Sequence, residues 1–388
     1  MKAIDLFAGA GGFSLAAHQA GVDVLAAIEL DKAAAETYQK SLIDKEKLAT
    51  HLISRDINEV VLPDLRATLK LEKGELDLLL GGPPCQGFSS HRINDAGIDD
   101  PRNQLLLRYY DFVDEFKPKV FLVENVAGLL WKRHADYLDK FIKLAEDNGY
   151  SIKHCGLLNA KDYGVPQNRK RVFILGVRND VNLAGLTFPP APTHFNPQSG
   201  KTPCWKTASS VFEKMPNDVL NRYINEYFKP KTNLSDEQAR ELLENLEFGE
   251  PLQDGSIDKC NVHMKPTPRM EERFKDTPLN GGREDAGERH RLKCHSDGYK
   301  GHKDVYGRVF IHLPSNTITT GCNNPSKGRF VHPWKDHGFT LRHAARFQSF
   351  PDNYNFYGST TEQAKQIGNA VPTRLGKILI SEICSRLK

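Results

Sequence analysis

The sequence predicts an α/β protein: a doubly wound, mostly parallel sheet joined to a second, smaller domain of irregular structure. Three features carry that expectation. The first 190 residues alternate short apolar runs with amphipathic stretches, as strands and helices do in βαβ units. The rhythm stops at Phe188-Pro189-Pro190-Ala191-Pro192, after which Pro, Gly, His and Asn become frequent. A helical period returns near the end over Leu375, Ile378, Leu379, Ile383 and Leu387. The expected division is therefore 1–190 plus 356–388 for the first domain and 191–355 for the second.

Taken in order, residues 3–7 read as a strand, Ala8-Gly9-Ala10-Gly11-Gly12 as a turn, and 13–20 as a helix stopped by Gly21. A second strand, 22–28, ends in Glu29, and Asp31 is a natural cap for a helix over 32–41. A third strand closes near Arg55-Asp56. A fourth, 76–80, runs straight into Gly81-Gly82-Pro83-Pro84-Cys85. After a helix over 105–116, a fifth strand at 120–123 leads to Glu124-Asn125. A helix at 135–148 follows, then a β pair, 150–159 and 172–177, flanking Gln167-Asn168-Arg169-Lys170-Arg171.

With 388 residues, 39% hydrophobic and 26% charged, the chain falls among globular proteins and away from disordered ones. The best apolar run, 120–131, is broken by Glu124 and Asn125 and falls short of the ~18 residues a membrane span needs. The start, Met1-Lys2-Ala3-Ile4-Asp5, has no apolar leader core, so the protein is expected to stay in the cytoplasm. Seven scattered cysteines without a CxxC pair suit a reducing compartment. Cys260-x-x-His263 and Cys294-His295 lack the paired spacing of a zinc site, and no metal is expected.

The net charge of +4 selects no partner, but its distribution is uneven. Residues 213–258 hold eleven acids against five bases; residues 289–350 hold eleven bases against three acids, with seven histidines. Such a basic stretch is either the footprint of a phosphate-backbone binder or a solvated face, and charge alone leaves both open.

Four groups of residues carry chemistry. A strand, a glycine turn and a helix start bring backbone N–H groups against a ligand, but the spacing is not that of a dinucleotide pyrophosphate site. Glu29 is placed to accept from ribose hydroxyls and Asp56 to meet an adenine amino group, which together suggest an adenosine ligand without a phosphate chain. Cys85 follows a strand at the end where open sheets bind ligands, stiffened by two prolines and followed by a small, polar loop, as suits a nucleophile. Glu124 is expected at the same edge, partly desolvated among apolar neighbours and so inclined to act as a proton donor. Arg169 and Arg171, two apart on an extended segment, are expected to share a face.

Together these segments resemble the DNA cytosine-5 methyltransferases of bacterial restriction-modification systems. Asp5–Gly12 is similar to the family's DLFAGxGG turn and Gly82–Ser89 to its PCQ segment. Glu124-Asn125-Val126 is similar to ENV, and Gln167–Arg171 to QxRxR. The stretch 317–351, including RHAARFQSFP, and Gln366–Pro372, QxGNxVP, complete the order. Only about 191–315 is left unmatched. The resemblance implies a doubly wound Rossmann-like methyltransferase sheet carrying an irregular DNA-recognition domain.

It also implies a mechanism. The Cys85 thiolate would add to C6 of a flipped-out cytosine, making C5 nucleophilic toward the methyl group of S-adenosyl-L-methionine, with S-adenosyl-L-homocysteine as product. Glu124 would bind or protonate N3, Arg171 would steady O2, and Arg169 would support the base or its phosphate. Cofactor contacts carry over to Phe7, Gly9, Gly11, Glu29, Asp56, Ile57, Pro84, Leu105, Asn369 and Val371, the last two requiring the C-terminal helix to dock beside the first strand. Gln86, Ser89 and Arg102, with Lys327 and Arg329 of the basic stretch, are the candidate contacts to double-stranded DNA. A cognate restriction endonuclease is an expected companion. Two rivals differ in what they lack. The tRNA-modifying branch carries a Cys-Phe-Thr element where this chain has Gly321-Cys322-Asn323, and a silent cofactor- or DNA-binding module would have lost Cys85, Glu124 or the arginines.

Overall fold

The computed structural model describes residues 1–84, 104–291 and 304–387. The chain divides into two compact units: Met1–Tyr163 with Lys170–Thr193 and Ala370–Lys388, and Gly164–Arg169 with His194–Asn369.

The first unit is built on a seven-stranded sheet of order β3-β2-β1-β4-β5-β7-β6. Its strands are β1 (Lys2–Leu6), β2 (Asp23–Ile28), β3 (His51–Ile53), β4 (Leu78–Gly81), β5 (Val120–Val126), β6 (Tyr150–Asn159) and β7 (Lys170–Arg178). The first five run parallel, whereas β7 is antiparallel to both β5 and β6. Parallel strands buried on both faces read as unbroken apolar runs, and Leu78, Leu79, Leu80, Val120, Phe121, Leu122 and Val123 are all fully buried. The main helices of this unit before its return are α1 (Gly12–Gln19), α2 (Lys32–Tyr38), α3 (Leu62–Thr68), α4 (Gln104–Phe116) and α5 (Ala135–Asp147). α4 and α5 meet the sheet through an aromatic cluster in which Phe141 packs edge-on against Phe121 and Tyr110.

Several elements differ from the sequence reading. β3 is only three residues long and ends before Asp56. α2 stops at Tyr38 and continues as a π-helical turn, Gln39–Lys45, and α3 was not expected. β5 does not end at Val123: pairing with β7 carries it to Val126, so Glu124 lies opposite Phe173 inside the sheet. A strand that gains an antiparallel neighbour extends as far as that neighbour does.

The second unit is irregular, as its composition predicted. Among the described residues its β structure is confined to isolated bridges such as Arg308↔Val331. Short helices start on capping side chains, Ser235 with Gln238 and Thr340 with His343. The expected return to the first domain at 356 is too early. The helix Thr360–Asn369 belongs to the second unit, and the chain re-enters the first only at Ala370. There the helix Thr373–Arg386 buries Leu375, Leu379, Ile380 and Ile383, and Gly376 lets it approach Ala16 of α1. No helix among the described residues is long and apolar enough to cross a membrane.

Candidate active site

The sheet order reverses at β1, whose neighbours are β2 on one side and β4 on the other. Open α/β sheets bind ligands beyond the carboxyl ends of the strands at such a switch point. The segments flanking it here are the glycine turn after β1 and Gly82-Pro83-Pro84 after β4.

The turn after β1 is held in left-handed backbone at Phe7, Gly9 and Gly11, with φ of 58°, 56° and 81°. Two of its donors are already committed. The Gly9 N–H donates to Glu29 Oε2 at 2.7 Å and the Gly11 N–H to the Ala8 carbonyl at 2.8 Å. Glu29 accepts a second backbone N–H, from Asp31, on its other oxygen at 2.7 Å. The acid at the end of β2 is thus the clamp of the turn as well as a candidate ribose acceptor. With those N–H groups occupied, the turn has little to offer a phosphate chain.

Beneath the turn lies a group the sequence reading left without a role. Asp5, 1% exposed, accepts from Ser14 Oγ at 2.6 Å, and Ser14 Oγ accepts from the Tyr38 hydroxyl at 2.8 Å. Burial pushes the Asp5 carboxyl up to about 7. Its signal was a lone acid inside the apolar run Ala3–Phe7. Val371 comes to the same region, its backbone oxygen lying 2.8 Å from where a side chain on Gly12 would begin.

Asp56 caps the turn Ile57–Glu59 by accepting from the Asn58 N–H, and Ile57 is buried. That turn is pinned by Arg108 of α4, whose guanidinium donates to the carbonyls of Ile57 (3.1 Å) and Val60 (2.8 Å). Nothing local in the sequence marks Arg108 for this task. Leu105, one turn earlier on α4, packs against the main core.

At the end of β4, Pro83 offers its carbonyl to the Asn125 amide at 3.2 Å, and Pro84 is half-buried. Gly82 sits against Glu124: a Cβ there would lie 3.4 Å from Glu124 Oε2. Glu124 is 8% exposed and has a counter-cation, Arg171 Nε at 2.9 Å from Oε1, across the β5–β7 pair. The expected desolvation is present, but a guanidinium accompanies it. Cys85, Gln86, Ser89 and Arg102 lie outside the described residues.

Arg169 is not on β7, the strand that carries Arg171. It belongs to the second unit, is 1% exposed, and donates to the carbonyls of Ile318 and Gly368, each at 3.0 Å. Gln167 donates to the Phe347 carbonyl and accepts from the Ile318 N–H, and Gln348 donates to the Ile367 carbonyl. A side chain on Gly368 would collide with Thr319 backbone, so the glycine is needed for this close approach. Arg169, expected to support the base or its phosphate, thus has two of its guanidinium nitrogens on main-chain oxygens. Asn369 ends its helix exposed to solvent.

Three arginines of the basic stretch are also turned inward, while Arg289, Arg291, Lys327 and Lys335 are exposed. Arg308 is buried and donates to carbonyls of Phe274, Thr277, His332 and Lys335 and to Asp336. Arg342 forms a two-toothed pair with Asp258 at 2.7 and 2.9 Å, both side chains buried. Arg329, expected on DNA, donates to three carbonyls and Asp304 and lies 4.1 Å over the Phe310 ring. Arg329 is thereby engaged within its own unit, whereas Lys327 is exposed.

Glu213, His332 and His343 bring three potential metal-ligating atoms within 4.8 Å of one another. The imidazoles oppose that use. Nδ1 of His332 accepts backbone N–H groups from Trp334 and Lys335, and Nδ1 of His343 accepts one from Thr340. Each neutral ring then carries its proton on Nε2, which faces Glu213 at 3.8 and 3.6 Å. A metal-bound histidine has the reverse arrangement, donating from its second nitrogen. Of the zinc pair weighed from sequence, Cys260 faces Gln363 and His263 stacks on His337, while Cys294 and His295 lie outside the described residues.

The profile of the C-5 cytosine-specific DNA methylase family matches residues 1–385. The chain belongs to that family. It is 33% identical to the Type II methyltransferase M.AgeI of Thalassovita gelatinovora, covering 99% of both chains. It is 32% identical to M.DdeI of Desulfomicrobium norvegicum, covering 99% of this chain and 88% of the other. Among solved structures, a candidate DNA modification methyltransferase encoded in an E. coli prophage superposes with a TM-score of 0.69 at 22% identity, covering 100% of this chain and 99% of that one. The Dnmt2 methyltransferase of S. pombe reaches 0.55 at 17%, covering 99% and 98%. These last two likenesses speak to the fold: the expected Rossmann-like methyltransferase sheet. The protein is a DNA cytosine-5 methyltransferase.

Proposed function

We propose that this methyltransferase uses S-adenosyl-L-methionine to methylate C5 of a cytosine flipped out of a specific duplex sequence, through a covalent bond to Cys85. The observation that carries the reading is the Glu124–Arg171 pair set against Gly82, three residues before Cys85, beside the switch point of the sheet.

The residues present fit an adenosyl ligand. Glu29 is fixed by two backbone N–H groups at one strand end, Asp56 and Ile57 form a turn beyond the next, and the glycine turn spends two of its donors internally. Phe7, Gly9, Gly11, Pro84, Leu105, Asn369 and Val371 complete the proposed contacts. When bound, S-adenosyl-L-methionine supplies a methyl group on a sulfonium.

The protein's part is to make the ring reactive. Cytosine C5 is too poor a nucleophile to attack a methyl group unaided. Addition of the Cys85 thiolate to C6 forms an S–C bond and pushes electron density toward C5 and N3. Glu124 hydrogen-bonds N3, and Arg171 keeps that carboxylate oriented while facing O2. After transfer, loss of the C5 proton and departure of Cys85 restore the aromatic ring with its new methyl group. Sulfur cannot reach C6 in a stacked helix, so the base must be flipped, at a cost of a few kcal/mol. The second unit reads the sequence, and Gln86, Ser89, Arg102 and Lys327 contact DNA. The protein works in the cytoplasm beside a cognate endonuclease, a role supported by the Type II names of its relatives.

Duplex DNA carrying 5-fluorocytosine at the target position tests the chemistry, because fluorine cannot leave as a proton. With cofactor present, a denaturation-resistant adduct at Cys85 is expected, and none in Cys85→Ser. Methylation of ordinary DNA with no trapped adduct would overturn the covalent route; methyl transfer confined to tRNA would overturn the substrate.

A further inference from the structure

Beyond Glu124 the chain leaves β5 through two 3-10 turns, Ala127–Leu130 and Lys132–His134. Both ends of this stretch are anchored: Leu129 is fully buried in the main core and His134 is 6% exposed. The four residues between them are presented to solvent. Leu130 and Trp131 are each 38% exposed, and Lys132 and Arg133 are exposed as well. The Arg133 guanidinium lies 4.7 Å over the Trp131 ring, and its Nε donates to His134 Nε2 at 3.0 Å. Arg133 is therefore held out in a fixed place by an aromatic ring and a buried imidazole, so little side-chain entropy is lost when it meets a ligand. Lys132 has no hydrogen bond or ion pair among the described residues, and the nearby acid Asp136 pairs with neither cation.

We propose that this knuckle, Leu130 to Arg133, is a docking point for the phosphate backbone of the duplex beside the target cytosine. Lys132 and Arg133 contact phosphates, and Trp131 acts as the positioning residue for Arg133. Charge and place favour DNA as the occupant. Two adjacent cations without acidic partners among the described residues, backed by an aromatic face, match the combination that tracks a nucleic-acid strand. Seven residues separate Glu124 from Trp131, which bounds their separation at about 25 Å of fully extended chain. That is about seven steps of a duplex at ~3.4 Å per phosphate along a strand. The knuckle thus falls within the length of DNA that must lie over the site whenever a base reaches Glu124. The inference stands on the family's established DNA substrate and is independent of the covalent route through Cys85.

Phosphate contacts ignore sequence, so the test needs no knowledge of the recognition site. Fluorescence anisotropy with a random-sequence duplex of 25 base pairs, titrated across a potassium chloride series, is run on the full-length protein and on Lys132→Ala/Arg133→Ala. The double variant is expected to bind about tenfold more weakly. Its plot of log affinity against log salt should be shallower by roughly two contacts' worth, at about 0.9 per phosphate. Trp131→Ala should lose roughly half of that change and Trp131→Phe almost none, a distinction that separates positioning of Arg133 from mere packing. The thermal midpoint of each variant checks the fold. An unchanged salt slope in a folded double variant would overturn the proposal. So would loss of self-association in sedimentation with DNA binding intact, which would assign the knuckle to a second copy of the chain.

Discussion

In the first unit Arg171 faces one carboxylate, Glu124, at the edge of the sheet where substrate chemistry is expected. In the second, Arg308, Arg329 and Arg342 spend their donors on main-chain carbonyls and acids of their own unit. The sequence of the second unit is more conspicuously basic, yet these three guanidiniums are less exposed than that of Arg171. An irregular chain leaves many carbonyls without ladder partners, and each one buried needs a donor. A long, five-donor side chain can satisfy several at once. The acidic stretch 213–258 and the basic stretch 289–350 partly cancel in space, through Arg342 with Asp258 and Lys335 with Glu213. A charge run along a chain therefore locates charge but not the direction it faces.

The sharpest way to break this contrast is to remove one charge from each kind of pair. Glu124→Gln keeps the shape and one hydrogen-bonding oxygen but cannot carry a proton to N3. Loss of a general acid typically costs ~10²–10⁴ in rate. We expect a fall of that size in methyl transfer, measured at a temperature where the variant is fully folded. If the variant turns over within threefold of wild type, Glu124 has no proton-transfer role.

Arg342→Ala should do the reverse. It leaves Asp258 buried and unpaired, a situation worth about 3–5 kcal/mol of lost stability. Denaturant unfolding would show that loss directly. Arg342→Met with Asp258→Leu removes both charges and should recover most of it. If the single variant is as stable as wild type, the pair is not holding the second unit together.

Acid should weaken the second unit for a related reason. Burial pushes His312 and His343 down to about 4, and His332 well down too, from an ordinary value near 6.5. All three stay neutral in the fold and take up protons on unfolding, so their contribution is complete above pH 6.5 and is lost as pH falls toward 4. Each accounts for up to about 1.4 kcal/mol per pH unit in that window. Asp5 opposes them: its carboxyl, raised to about 7, gains stability as pH falls from 7 toward the ordinary carboxylate value. Three histidines outweigh one acid. Urea unfolding at pH 7.5 and 5 should therefore show a less stable protein at pH 5, and His312→Leu should flatten the dependence. Equal stability at the two values would contradict the neutral, buried histidines.

How far the sequence could be read follows from how local each feature is. The glycine turn, Glu29 and the Gly82-Pro83-Pro84 segment are fixed by neighbours in the chain and by strand ends, and their placement around the switch point was legible. Glu124 was found, but its position inside β5 depends on β7, some 50 residues on, and its counter-cation depends on the same pairing. Arg169 and Arg171 show the limit. Alternation by twos assumes one continuous strand, but β7 begins at Lys170, and Arg169 is held by carbonyls 149 and 199 residues away. Such partners leave no mark beside the arginine itself. Arg108 and the Asp5–Ser14–Tyr38 chain were missed for the same reason, although an acid in an apolar strand was a usable hint.

Lys327 and Arg329 offer the smallest effect and the finest discrimination between the two uses of a cation. They stand two apart, and the basic stretch suggested both for DNA. Lys327 is exposed, so Lys327→Glu should lower affinity for any duplex a few fold and change the salt slope by about one contact, ~0.9. Arg329→Met keeps volume but strips hydrogen bonds from the carbonyls of Asn280, Gly281 and Arg308. The Gly281 carbonyl keeps the Arg308 N–H, but each buried carbonyl left without a donor costs ~1–3 kcal/mol, so this variant should unfold earlier while its salt slope stays at the wild-type value. The two measurements cross: one substitution moves the slope and not the midpoint, the other the midpoint and not the slope. A slope that changes with Arg329 alone would mean that the guanidinium leaves its carbonyls for phosphate when DNA binds, and that the inward reading of the second unit's arginines holds only for the free protein.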